Sequence, residues 1–396
     1  MTDFGTWTRR QLTTGTDDSR YHSHAYYDIP VIDETARFVI GHQMRFQGHH
    51  PAVDDDIEIG IMDLESGAEW QPLGPTSAWS WQQGAMSQFL PTQPAGKTRA
   101  IWNIRLSDNR FGARICDISN KDVHDLDVPV YAIAPSGTAA LSLDMSRLNM
   151  LRPGYGYANV PDRSMRRKPS DEGVCRVDLD SGKTALILPL AQAVDILTRH
   201  LSLRARAKHL LKRYHYWFNH AKISPDGRRF TVKLRWRNIG KSWSDQQGVS
   251  LTANMDGSDV RLLASATSHV IWLSNEQLYF WRSDGLFLFD DTAPQGTEIE
   301  QMAPELITTN VHIRHMPAAP NVFVLDTPYR EDIDLILFDK RTKHHEKIAQ
   351  FAGHRPKRGP FRCDLHPCPD IAGRRIVVTS LEDGGRQIYL LERQEV

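Results

Sequence analysis

Short apolar runs rich in β-branched and aromatic residues, broken by turn signals, dominate the chain. "RFVIGHQ", "RAIWNIR", "AALSLDM", "RRFTVKLRW", "QLYFW", "NVFVLD" and "RRIVVTS" predict strands. A second kind of run follows each of them: "EIGIMDLESG", "ARICDIS", "CRVDLDSG", "VSLTANMDG", "LFLFDD", "DLILFDK" and "QIYLLE". These usually end in Asp or Asn beside a turn. The two-run unit recurs seven times. Helical periodicity is scarce; the best stretch, Leu190 to Arg213, predicts a short helical insertion with a basic end.

A unit that repeats at about 40–50 residues is the signature of a β-propeller. The pattern therefore predicts an all-β, seven-bladed β-propeller in which residues 1–396 form one domain. The N-terminal run at about 5–13 is expected to supply the outer strand of the last blade, which closes the ring and removes an exposed edge. The clearest copies are "NHAKISPDGRRFTVKL" and "LHPCPDIAGRRIVVTS", in which His220 and His366 precede paired arginines by the same offsets. "SHVIWLSNEQLYFW" and "VHIRHMPAAPNVFVLD" fit that frame and add His269 and His312; "HSHAYYDIPVIDETARFVIGH" adds His24. The innermost strand of a blade lines the central channel. Equivalent positions therefore converge on a ring, although they lie far apart in sequence. Other blades place Ser, Gln or Val there, so the fold itself does not demand His.

Composition narrows the chemistry. The chain has 48 Lys+Arg against 48 Asp+Glu, a balance that argues against a phosphate-gripping nucleic-acid binder. No run of about 18 apolar residues appears, so no transmembrane helix is expected. The first residues lack the apolar stretch of a secretory signal, and Cys116, Cys175, Cys363 and Cys368 show no disulfide or zinc-ribbon spacing. Reduced thiols and a cytoplasmic location are the expectation. No phosphate-binding loop, nucleophile elbow, dinucleotide fingerprint or HExxH helix is present.

At the histidine register the sequence resembles the oligogalacturonate lyase family, a cytoplasmic group of seven-bladed propellers. More closely it resembles related uncharacterised propellers that share the "HPxxSPDG" frame. The likeness runs from about Tyr216 to Glu392. In that family a His at the head of one inner strand is the proposed base. A His in the next blade and a Gln/His/His cluster in the last blade bind Mn²⁺. The resemblance implies His269 as base, with His312 and His366 among the ligands of a divalent metal, Mn²⁺ first and Zn²⁺ or Ca²⁺ as alternatives. The family's last-blade His-Pro-His begins here with Asp364, which makes Asp364 the candidate third ligand. Its Gln falls near Phe361 or Arg362 and its catalytic Arg near Val249, and neither is retained.

Elimination from a uronic acid requires a neutralised carboxylate, a base for the C5 proton and a proton for the departing oxygen. His269 or His220 suits the base, since both head inner strands in blades before the metal pair. In the third blade, "RLNMLRPGYGYANVPDRSMRRKP" reads as a loop over one face. Arg147, Arg152, Tyr155 and Tyr157 would hold an acidic glycan there, with Arg152 and Tyr155 nearest the chemistry. In "YHSHAYYD", period-two alternation puts His22, His24 and Tyr26 on one face as substrate contacts opposite His220. The expected activity is metal-assisted β-elimination on a uronate-containing oligosaccharide or exopolysaccharide, with neither nucleic acid nor membrane as partner. The rival is a non-catalytic glycan- or metal-binding propeller. Glycoside hydrolysis would need paired channel carboxylates, for which only Asp28 and Asp364 are placed.

Overall fold

The computed structural model describes residues 3–15, 17–91, 97–160, 166–265, 267–293 and 295–394. It is a seven-bladed β-propeller, with seven sheets of four antiparallel strands. The innermost strands are Tyr21–Ser23, Gln88–Phe89, Ala132–Ile133, His215–Ile223, Val270–Trp272, Ile313–Met316 and Cys368–Pro369. In the last blade the strand Trp7–Gln11 pairs with Gln387–Arg393, with Trp7 opposite Arg393 and Gln11 opposite Tyr389. Among the described residues, no helix is long and apolar enough to cross a membrane. All four cysteines are free thiols.

The repeated turns explain the repeated sequence. In "SPDGRR" the Ser224 hydroxyl donates to Asp226 and accepts the Arg229 N–H, while Gly227 takes φ +71°. That left-handed geometry favours glycine. In the last blade, Asp370 accepts the Arg374 and Arg375 N–H groups and Gly373 takes φ +66°. The Asp that ends the second kind of run does similar work. Asp117, Asp178 and Asp339 accept backbone N–H groups two or three residues on, folding the chain back into the outer strand.

One expectation needs correction and one gains detail. Part of the third-blade segment read as loop is a helix, α1 (Met145–Leu151), because Asp144 caps it by accepting the Arg147 N–H. Its leucines, Leu148 and Leu151, are buried against the blade. The 190–213 insertion is two helices, α2 (Leu190–Arg199) and α3 (Leu203–Leu211); Ser202 breaks the run by capping α3 through the Ala205 N–H.

Candidate active site

The inner strands and the residues that flank them bring five histidines toward the centre. His24, His220, His269, His312 and His366 are all buried, and Tyr26 stands in their midst. The Tyr26 ring centroid lies 5.5 Å from that of His220, 6.2 Å from His269, 5.9 Å from His312 and 4.8 Å from His366. His269 and His312 are 4.3 Å apart, and His312 and His366 4.5 Å. His220 and His366 have positive φ, +54° and +49°. Such backbone is costly for a non-glycine residue and is found where the surrounding structure enforces it. At His220 it coincides with a break in strand register between Asn219 and Lys222, which re-aims the side chain.

His312, Asp364 and His366 each offer one ligand atom, and these atoms lie within 4.8 Å of one another. Asp326 accepts from His312 Nδ1 at 2.9 Å and also from the His312 N–H, so Nε2 carries the lone pair and lies 3.9 Å from Asp364. A carboxylate behind a ligating imidazole fixes its tautomer and raises its basicity. The Nε2 atoms of His312 and His366 are buried without a hydrogen-bond partner among the described residues. Two imidazole nitrogens and a carboxylate suit Mn²⁺ or Zn²⁺, so these residues fit a divalent cation.

The other histidines differ in what holds them. His269 Nδ1–H donates to the Val311 carbonyl at 2.7 Å, which places the lone pair on Nε2. His24 Nδ1–H donates to the Ala25 carbonyl at 2.8 Å. His220 Nε2 instead accepts from Arg152 Nη1 at 3.0 Å. Burial pushes His220, His269 and His366 well below the usual imidazole range and His24 down to about 4. Neighbouring cations reinforce this, Arg152 for His220 and Arg362 for His366, so all four rings are neutral at pH 7.

A shell of cations surrounds the cluster. The Arg152 guanidinium lies 3.6 Å over the Tyr155 ring. Arg362 pairs with Asp364 at 2.7 Å and donates to the Tyr155 hydroxyl at 3.2 Å. Burial would raise the Tyr155 phenol, but Arg152 and Arg362 outweigh it and hold the phenol below its usual range. Arg235 donates to Asn219 at 2.9 Å and is pushed by burial down to about 9. Lys233 is buried with no hydrogen-bond partner for Nζ among the described residues, and burial drives it well below its usual range. Lys233, Arg235, Arg362, Asn219 and Asp326 are not among the residues that the sequence singles out. Lys233 and Arg235 alternate with apolar residues in "VKLRWR", but that alternation does not say which face turns toward the histidines; Asn219, Asp326 and Arg362 lie outside it.

Three predicted contacts lie elsewhere. The strand Tyr21–Ser23 ends before the expected alternation reaches His24. His22 therefore turns to blade contacts, donating to Gln387 at 2.9 Å and accepting from Gln43 at 2.8 Å, beside Trp70. Arg147 is spent inside the fold on Glu172 and the carbonyls of Tyr216 and Arg166. Tyr157 is fully buried and its hydroxyl accepts from Asn103 at 2.7 Å. Asp28 pairs with Lys222 at 3.1 Å, not with Asp364, so no carboxylate pair forms for hydrolysis.

No protein-family model and no curated protein matches the chain. Among solved structures it is similar to an oligogalacturonate lyase in complex with manganese, with 14% identity, 98% of this chain and 93% of that chain covered, and a TM-score of 0.62. It is also similar to the oligogalacturonate lyase of Vibrio parahaemolyticus, with 12% identity, 98% of each chain covered and a TM-score of 0.59. The resemblance seen in the last four blades thus extends, as a shared seven-bladed fold, over nearly the whole of both chains.

Proposed function

We propose that the protein is a polysaccharide lyase that cleaves a uronate-containing oligosaccharide by metal-assisted β-elimination. The observation that carries this reading is the convergence of His312, Asp364 and His366, backed by Asp326, beside a neutral His269 whose Nε2 lone pair is uncommitted. The manganese complex of a structurally similar lyase favours the same assignment. The buried setting of the cluster favours the end of a short acidic glycan over a polymer lying across it.

A divalent cation held by His312, Asp364 and His366 would supply positive charge to the uronate carboxylate and make the C5 proton removable. His269 Nε2 takes that proton. The C5–H electron pair becomes the C4–C5 double bond as the C4–O4 bond breaks. Tyr155 gives O4 its proton, and Arg152 and Arg362 stabilise the phenolate left behind. His220 is a weaker candidate for the base, because Arg152 occupies its Nε2. Burial depresses His269, which keeps its ring neutral and its Nε2 lone pair available for the proton. Arg152 Nε, Lys233 Nζ, Asn219 Nδ2 and the Tyr26 hydroxyl are buried donors without partners among the described residues. Carboxylate and hydroxyl groups of a sugar satisfy them, and unpaired buried donors are costly otherwise.

Ultraviolet absorbance of the new conjugated double bond, followed on galacturonate, glucuronate, mannuronate and guluronate oligosaccharides with Mn²⁺ or with chelator, tests the reading. Metal-dependent absorbance on one of them is expected. Calorimetric binding of a glycan without cleavage would instead establish the binding-module alternative.

A further inference from the structure

Two positions beyond the histidines, along the inner strands, the chain builds a second pocket. Lys222 follows His220, Ile271 follows His269 and Arg314 follows His312 at that offset. These residues line a cavity of about 360 Å³ together with Asp28, Phe89 and Trp272. Tyr27 divides it from the histidines: its ring lies 5.3 Å from His269 and 5.2 Å from His312, and its hydroxyl accepts from Lys222 Nζ at 2.9 Å.

The polar side chains lining this cavity are Asp28, Gln88, Tyr131, Lys222, Arg314 and His315, of which Asp28, Lys222 and Arg314 carry charge. Lys222 is buried, with Nζ 3.1 Å from Asp28 and 4.2 Å above the Tyr27 ring. Arg314 spends Nη1 on the carbonyls of Tyr27 and Ile29 and on Cys368 Sγ; Nη2 and Nε make no hydrogen bond among the described residues. Two cations against one carboxylate leave one positive charge, bordered by Ile271, Phe89, Trp272 and several prolines. A cleft with an apolar lining and a few convergent polar groups is what small-molecule sites look like.

We propose that this cavity is a binding site for a small organic monocarboxylate with an apolar body, its carboxylate on Arg314 and Lys222. A monoanion cancels the surplus charge, and Arg pairs with a carboxylate bidentately. An inorganic dianion would exceed that charge and leave the apolar walls unfilled. The site is separate from the histidine cluster and stands whether or not the protein is a lyase.

Calorimetry on the full-length protein with sodium benzoate, benzamide and inorganic phosphate tests it. Saturable one-to-one benzoate binding is expected, with a change in Trp272 fluorescence and binding at least about tenfold weaker for benzamide, the loss of one charge-assisted pairing. Arg314→Gln is expected to weaken benzoate by a similar factor, and His269→Asn to leave it unchanged. Should Arg314→Gln fail to fold, Ile271→Trp fills the cavity from its apolar wall and is expected to abolish binding. Absence of saturable benzoate binding overturns the proposal. So does equal affinity for benzamide, tighter binding of phosphate, or benzoate binding lost in His269→Asn but retained in Arg314→Gln or Ile271→Trp.

Discussion

Asp326 accepts a hydrogen bond from His312 Nδ1 at 2.9 Å, and through it fixes which nitrogen of His312 faces Asp364. Neither side chain has any exposed surface, so the pair is set by the fold and not by solvent. Asp326→Asn keeps the shape but loses the charge and lets the ring take either tautomer. Manganese affinity measured by calorimetry is expected to fall about 10–100-fold, the usual cost of losing such a partner. An unchanged affinity would mean that the cation does not sit on His312.

The two candidate bases are separable because only one has its lone pair occupied. His269→Asn is expected to lower turnover by about 10²–10⁴ on whichever uronate glycan is cleaved. His220→Asn frees Arg152 and is expected to raise KM more than it lowers kcat. Steady-state kinetics on the two variants decide the assignment, and the reverse pattern would make His220 the base.

Two histidines away from the metal ligands make stability depend on pH. Burial lowers His22 to about 4 and His42 to about 3, so between those values and about 6.5 the unfolded chain binds protons that the folded one does not. Their contribution is complete above about 6.5 and is lost as pH falls through this window, by about 3 kcal/mol or more for each group. Thermal midpoints by circular dichroism are expected to drop steeply from pH 7 to pH 4. His22→Gln is expected to flatten part of that slope.

Gly156 packs against α1 so closely that an added Cβ would stand 2.2 Å from the Asn149 N and the Met145 O. Both are backbone atoms and cannot swing aside. Gly156→Ala is expected to destabilise the fold by about 1–3 kcal/mol and to shift Tyr155, the adjacent residue. A lower thermal midpoint together with weakened glycan binding is the expected signature.

Repetition makes the ring legible in the sequence. The offset between His220 and the Arg228–Arg229 pair, repeated at His366, puts both in one frame, and the structure has His220 on an inner strand and His366 two residues before one. Tyr26 is legible as a neighbour of His220, and the structure stacks the two rings. Lys233, Arg235 and Asp326 are not, because they sit on second strands, where a repeat frame gives no hint of direction. Arg147 and Tyr157 mislead for a related reason. Their composition suggests a sugar contact, but Asp144 turns the segment into a helix and Asn103 draws the tyrosine inward. Composition says which chemistry a side chain is capable of, while local capping decides which way it faces.

The pairing of Trp7 with Arg393 gives the ring an order of assembly. Six blades are built from neighbouring hairpins and can form as the chain leaves the ribosome. The seventh waits for a segment translated hundreds of residues after its partner strand. The entropy of closing so long a loop grows only with the logarithm of its length, so the delay is kinetic more than thermodynamic. Until Gln387–Arg393 is made, Trp7–Gln11 lacks the strand it pairs with in the ring. Its Arg9 and Arg10 then act as gatekeepers, discouraging wrong partners until the right one emerges.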